Sequence, residues 1–251
     1  MQVKIFGERN TGTRLLRSLV ESIRAGTVLP STAEEIDPAA FRAIQQTCWK
    51  DPITREAAID RIFLGLSPRE AWKHCATDFD TVDAFSDCVV LITVKHPAAW
   101  LVSLVSRPYH ALSTPPETLR RLLEFQWKTV GRERLDERTF TPIQLYNEKI
   151  RSYRHFVEQL REASITFKVL RSEDLILNQA AVFRTIAGII GCPHARFKPI
   201  EASTKSPGVQ AQHYFDYYAH ERWRDELAGV HDSMNGEVEW DQLRAFGYEP
   251  V

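Results

Sequence analysis

The segment Gly7-Glu8-Arg9-Asn10-Thr11-Gly12-Thr13-Arg14 offers the most readable chemistry in the chain. Gly7 and Gly12 bracket four residues, the spacing of the nucleotide-binding GxxxxGK[ST] loop. Glycines let backbone N–H groups turn towards one anion, and the start of a following helix adds partial positive charge. Where that loop carries its lysine and hydroxyl, this chain has Thr13 and Arg14. The lysine that reaches terminal phosphates and the hydroxyl that ligates Mg²⁺ are thus replaced. The pattern disfavours a Mg–NTP site and favours an anionic nucleotide held without metal. Local charge agrees, since residues 1–24 carry Lys4, Arg9, Arg14, Arg17 and Arg24 against only Glu8 and Glu21.

A second cluster follows the apolar run Cys88 to Val94. Lys95 stands directly after it, and Ser103 lies eight residues further on, past His96 and Pro97. Open α/β sheets bind ligands at the carboxyl ends of their strands, where Lys95 would sit. A cation there and a hydroxyl on the next helix can clasp one phosphate. No acidic residue occurs between positions 88 and 113, whereas Lys95 and Arg107 are basic.

These residues need elements to hold them. Val3 to Phe6 reads as a strand, and Leu15, Leu16, Leu19, Val20 and Ile23 recur at helical spacing, with Gly26 as the stop. Residues 27–70, punctuated by prolines, predict loops and short helices. Ala71 to Thr77 predicts a weak strand and Cys88 to Val94 a buried one. Pro97 opens a helix that Pro108 ends. Amphipathic helices are expected over 116–132 and 142–163, a strand over Ile165 to Leu170, and a helix over 179–190 closing near Gly191. An aromatic-rich helix is expected over 213–228 and a last short one over 239–246. The aromatic residues Tyr214, Phe215, Tyr217, Tyr218 and Trp223 fit core packing. Strands separated by helices imply parallel pairing through βαβ units. No repeat or linker divides residues 1–251, so one domain is expected.

Composition bounds the function. The chain has 251 residues, 32 Lys plus Arg and 33 Asp plus Glu, for a formal net charge of −1. A polycation gripping nucleic acid through its overall field is excluded, so bound anions need local clusters. The four cysteines form no CxxC pair and no Cys/His quartet is spaced for zinc. Free thiols and the lack of a signal-peptide pattern at Met1 predict a cytoplasmic protein, and no stretch is long enough to span a bilayer.

Taken together, the two anion-binding segments resemble the sulfotransferase superfamily, whose members use 3′-phosphoadenosine 5′-phosphosulfate (PAPS). Phe6 to Thr13 is similar to its 5′-phosphosulfate loop, nearest the bacterial GERN[ST]GT form, and Lys95 with Ser103 is similar to its 3′-phosphate element. Trp72-Lys73-His74 resembles the strand-end Lys/His that approaches the acceptor. Arg171-Ser172-Glu173-Asp174-Leu175 resembles the [RK]xEDL segment, and Ser203-Thr204-Lys205 the loop that closes over the nucleotide. This chain departs from many relatives in having Asn10 where they have Lys before the [ST]GT triplet, so Arg9 or Arg14 must supply that charge. Lys95 replaces the commoner Arg, which loses bidentate geometry, and the closing loop lacks the glycine-rich form.

The resemblance implies a P-loop-like parallel β-sheet flanked by helices, the three-layer α/β/α arrangement of sulfotransferases. It implies sulfuryl transfer from PAPS to an acceptor hydroxyl or amine, leaving the bisphosphate PAP, with no metal. Arg9, Asn10, Thr11, Gly12, Thr13, Arg14, Lys95, Ser103 and Lys205 would bind the nucleotide. His74 would be the base, with Lys73 bridging to the leaving oxygen and Arg9 meeting its charge; His96 is the competing base. Arg107, Tyr109 and His110 would line the acceptor side. Cys75 is discounted as a nucleophile, because sulfuryl transfer needs no covalent enzyme step. Two alternatives stand beside this reading: a P-loop kinase or hydrolase, and a non-catalytic nucleotide-binding protein on the same fold.

Overall fold

Val3, Lys4, Ile5 and Phe6 are all buried, which requires a strand covered on both faces. The computed structural model describes residues 1–109, 112–202, 208–227 and 229–250. In chain order it holds β1 (Gln2–Gly7), α1 (Thr13–Glu21), β2 (Thr27–Val28), α2 (Ala33–Ile36), α3 (Pro38–Thr47), α4 (Pro52–Phe63), β3 (Cys88–Val94), α5 (Pro97–Ser106) and α6 (Leu119–Leu123). It continues with β4 (Trp127–Lys128), β5 (Thr139–Phe140), α7 (Pro142–Glu162), β6 (Phe167–Arg171), α8 (Ser172–Leu177), α9 (Gln179–Ile189), α10 (Ala211–Ala219), α11 (Trp223–Glu226), α12 (His231–Glu237) and α13 (Trp240–Arg244).

Four strands form a parallel sheet in the order β2-β1-β3-β6. Alternate side chains of β1 and β3 build two cores. Val3, Ile5, Val89 and Leu91 pack on Leu16, Leu19 and Val20 of α1 and on Phe183 and Ile186 of α9. Phe6, Val90, Ile92 and Val94 face α5 and α7 through Trp100, Tyr146, Tyr153 and Phe156. The fold is therefore α/β, a parallel sheet flanked by helices, as the alternation of elements predicts. Among the described residues no helix is long and apolar enough to cross a membrane.

After β1 the chain turns to β2 on one side, and it reaches β3 on the other. A crevice opens where strand order reverses in this way. Gly7 and Thr93 are paired in register at the ends of β1 and β3, so the loop after Gly7 and the segment after Val94 both empty into that crevice.

Three expected elements differ. Ala71 to Thr77 is no strand: Cys75 N–H bonds back to Trp72 O (3.0 Å), making a turn, and a single backbone hydrogen bond, Gly7 N–H to Lys73 O (2.9 Å), ties it to the end of β1 where a strand would make a ladder. Residues 116–132 keep only the short α6. Beyond it Trp127 and Lys128 pair antiparallel with Phe140 and Thr139, because Trp127 is 1% exposed beneath Tyr109 and Phe125. The aromatic helix breaks into α10 and α11 at Glu221, whose φ of 45° is left-handed.

Candidate functional site

The loop after β1 is shaped by its own backbone. A Cβ on Gly7 would lie 1.9 Å from Thr93 Oγ1 and 2.7 Å from Thr93 O, so no larger residue fits. Asn10 and Gly12 take left-handed φ of 64° and 90°, which turns the chain into α1. Gly12 caps that helix without any side-chain hydrogen bond, and no acidic residue lies in its first turn. The first-turn amides thus have no intrahelical acceptor and face the crevice with the positive end of the helix dipole. Thr13 is buried there, and Arg14 is exposed. The Thr11 hydroxyl points elsewhere: it donates to Glu8 O and meets Thr93 Oγ1 at 2.7 Å, so it braces the loop from within.

Lys95 and Ser103 come together as their spacing predicts. Lys95 Nζ donates to Ser103 Oγ at 2.6 Å and to Asn10 O at 3.4 Å. Asn10 Nδ2 in turn reaches the carbonyls of Ser103 and Arg107, each at 3.4 Å. The two anion elements, 85 residues apart between Asn10 and Lys95, therefore meet at one end of a cleft of about 700 Å³. Burial pulls the Lys95 ammonium down to about 8. Its carbonyl is held by the Tyr146 hydroxyl, and its Nζ lies 5.2 Å from the Tyr218 ring centre. Tyr214, Phe215, Tyr217 and Tyr218 line the same cleft. Of the aromatic cluster, Tyr218 and Trp223 are buried in the core and Tyr214 and Tyr217 pack against it, as expected, while Phe215 is exposed; Trp223 stacks on His96 at 4.7 Å. Arg107 also belongs to this cleft, donating to the Tyr214 hydroxyl at 3.2 Å. Lys205 and His110 lie outside the described residues.

His74 sits on the other side of Gly7. Its Nδ1 is 2.6 Å from Gly7 O; a carbonyl only accepts, so Nδ1 carries the proton. The Nε2 lone pair then has no partner among the described residues. Burial, followed by the charges of Arg9 and Lys73, holds this imidazole well below its ordinary value, so it is a neutral acceptor of protons at pH 7. Lys73 is likewise pulled down to about 8 by burial, with Arg14, Arg17 and Arg9 adding repulsion against the pull of Glu35.

His96, the competing base, is fully occupied. Its Nδ1 accepts the Ala98 N–H at 3.2 Å, capping α5, and its Nε2 donates to Glu249 O at 3.1 Å. Its own N–H goes to Glu173, which also takes the Tyr248 hydroxyl at 2.6 Å. The Arg171–Leu175 segment thus fastens the C-terminal turn beneath β3. Cys75 is buried with its thiol pushed up to about 11, the wrong direction for a nucleophile.

Arg9 does not reach the cleft. Its guanidinium lies 4.2 Å from the ring centres of both Trp72 and Tyr109, and Nε and Nη2 are buried without a hydrogen-bond partner among the described residues. Burial lowers it to about 10. Around it stands a charged cluster that residue patterns alone do not announce. Glu8 takes the Arg9 N–H and the Tyr109 hydroxyl, each at 2.6 Å, and lies 3.6 Å from Lys149 Nζ. Lys149 donates to His74 O, and Arg132 lies 4.7 Å from the Trp72 ring while pairing with Glu56 and Asp60 of α4. Glu8 stands inside the recognised loop, but its partner Lys149 is on α7, and nothing in local spacing links them. The arrangement can hold two anionic groups near each other and offer a neutral imidazole beside the first. No family model matches the chain, and no curated protein matches it.

Proposed function

We propose that the chain is a PAPS-dependent sulfotransferase, transferring a sulfuryl group to an acceptor hydroxyl or amine by in-line displacement. The observation that carries this is the meeting of Lys95, Ser103 and Asn10 at the crevice where α1 begins. A nucleotide with charge at both its 5′ and 3′ ends fits two adjoining anion sites better than a nucleoside triphosphate does. The uncapped amides of α1 suit the 5′ end, and Lys95 with Ser103 suits the 3′ phosphate. The rings of Tyr214, Tyr217 and Tyr218 continue along the cleft. PAPS, when bound, supplies the sulfuryl group and a phosphate that leaves.

The residues then have separable tasks. The amides from Gly12 to Arg14 stabilise charge that grows on the leaving phosphate. Lys73, unpaired at its ammonium among the described residues and lowered to about 8, adds a cation beside them. His74 Nε2 takes the acceptor proton while Gly7 O holds Nδ1–H, fixing ring and tautomer. Arg9 acts through its field, since Trp72 and Tyr109 hold its guanidinium and its charge helps keep His74 neutral. The four cysteines are free, which suits work in the reducing cytoplasm.

Calorimetric titration with PAP, and with ATP plus Mg²⁺, tests the reading. Metal-independent binding of PAP is expected. Preference for Mg–ATP would assign a kinase or hydrolase instead. PAP binding without transfer to any of a panel of hydroxyl acceptors would assign a non-catalytic nucleotide-binding protein.

A further inference from the structure

The two edges of the sheet are unlike. Beyond β1 the edge is closed by β2, a strand of two residues, too short to template another chain. The opposite edge is β6, five residues long and half-exposed, where β3 beside it is buried throughout. Val90 N–H bonds Thr166 O; alternation then points Lys168 and Leu170 at β3 and the N–H and C=O of Phe167 and Val169 outward. Among the described residues these outward groups have no partner. The edge forms the floor of a groove of about 770 Å³, walled by Arg154, Val157 and Arg161 of α7 and by Ala181 and Val182 of α9. A slot between two helical layers with strand backbone as its floor is the place of one more strand.

We propose that this groove docks an extended acidic segment of a partner protein, which joins the sheet beside β6 by strand addition. Charge selects the occupant. Arg154 already meets Glu158 and Gln242, and Arg171 meets Asp174 at 3.9 Å. Arg161 and Lys168 are exposed and have no ion-pair partner among the described residues. Phe167 and Val169 pack into the α7-side core and Leu170 into the α9-side core. Arg161 therefore stands over one face of an added strand and Lys168 over the other, so acidic side chains on both faces find a cation. A second copy of this chain is the wrong occupant, because edge-to-edge pairing would bring each Lys168 and Arg161 near its own counterpart.

The test uses the full chain and a fluorescein-labelled heptapeptide, Val-Glu-Glu-Val-Glu-Glu-Val, whose glutamates fall on both faces of an extended strand. Two further peptides serve as controls, one with lysine for glutamate and one N-methylated at alternate backbone positions but equally acidic. Saturable anisotropy is expected for the acidic peptide, weakened at least about tenfold in each control, since one loses charge attraction and the other its main-chain donors. The double variant Arg161→Glu with Lys168→Glu, both at exposed positions and checked by circular dichroism, should lose the acidic peptide and gain the lysine one. Equal binding of the acidic and N-methylated peptides, or no binding of the acidic one, overturns the proposal. So does dimerisation in sedimentation velocity without peptide that the double variant alters, which would give the edge to a second copy.

Discussion

His74 and Lys95 divide the proposed work, so their variants should fail differently. His74→Gln removes the proton acceptor but touches no group of the cleft. Its kcat should fall by ~10²–10⁴-fold, with calorimetric affinity for PAP unchanged. Lys95→Met removes a buried cation bonded to Ser103 and Asn10. PAP affinity should fall by roughly ten- to a hundredfold, the worth of a charged hydrogen bond, and Ser103→Ala should cost less. Equal loss of affinity in both variants would contradict this division. The legible residues here were those whose partners are near in sequence or announced by a glycine: Lys95 and Ser103 lie one helix apart. Lys149 was illegible, because its tie to the His74 backbone spans 75 residues and a lysine on a helix ordinarily reads as surface.

At the scale of elements, the clearest segments in the sequence were those buried on a simple period. β3 stands as expected from its apolar run, and α7 (Pro142–Glu162) follows the amphipathic pattern over 142–163. Residues 71–77 and 116–132 went otherwise, because their conformation is set by distant contacts: Gly7 N–H donates to Lys73 O, and Trp127 is covered by Tyr109. The joint between β1 and its loop is the element most sensitive to mutation. In Gly7→Ala the new methyl meets a backbone carbonyl as well as a side chain, so no rotamer change relieves it. A loss of about 1–3 kcal/mol or more is expected in urea denaturation, and a stability equal to the parent's would mean that β1 and β3 can separate locally.

For the whole molecule, the net charge of −1 conceals an interior rich in cations. Lys4 is fully buried in β1, held by the carbonyls of Pro30 and Ala71, and burial lowers it to about 8 as it does Lys73 and Lys95. Between pH 8 and 9 the unfolded chain keeps protons on these lysines that the folded chain has begun to release. Stability then rises with pH across that interval. Above about 9 the raised thiols of Cys75 and Cys88 oppose the rise, since the unfolded chain loses those protons first. On the acid side, His74 and His96 are both lowered by burial, so stability should fall as pH drops below about 6.5, where an unfolded histidine takes up its proton. Denaturant midpoints between pH 5 and 9.5 would check both limbs, and His74→Gln should flatten the acid one.

The stack that holds Arg9 has an optical consequence. The Trp72 ring centre lies 4.2 Å from the Arg9 guanidinium and 4.7 Å from that of Arg132, with the His74 ring 5.1 Å away. Indole emission shifts and dims in response to charge placed against the ring. Any anion that draws Arg9, or any proton gained by His74, should therefore change the colour and yield of Trp72 fluorescence. Of the six tryptophans, this one is a resident reporter, and the signal that disappears in Trp72→Phe is the part that reads the site.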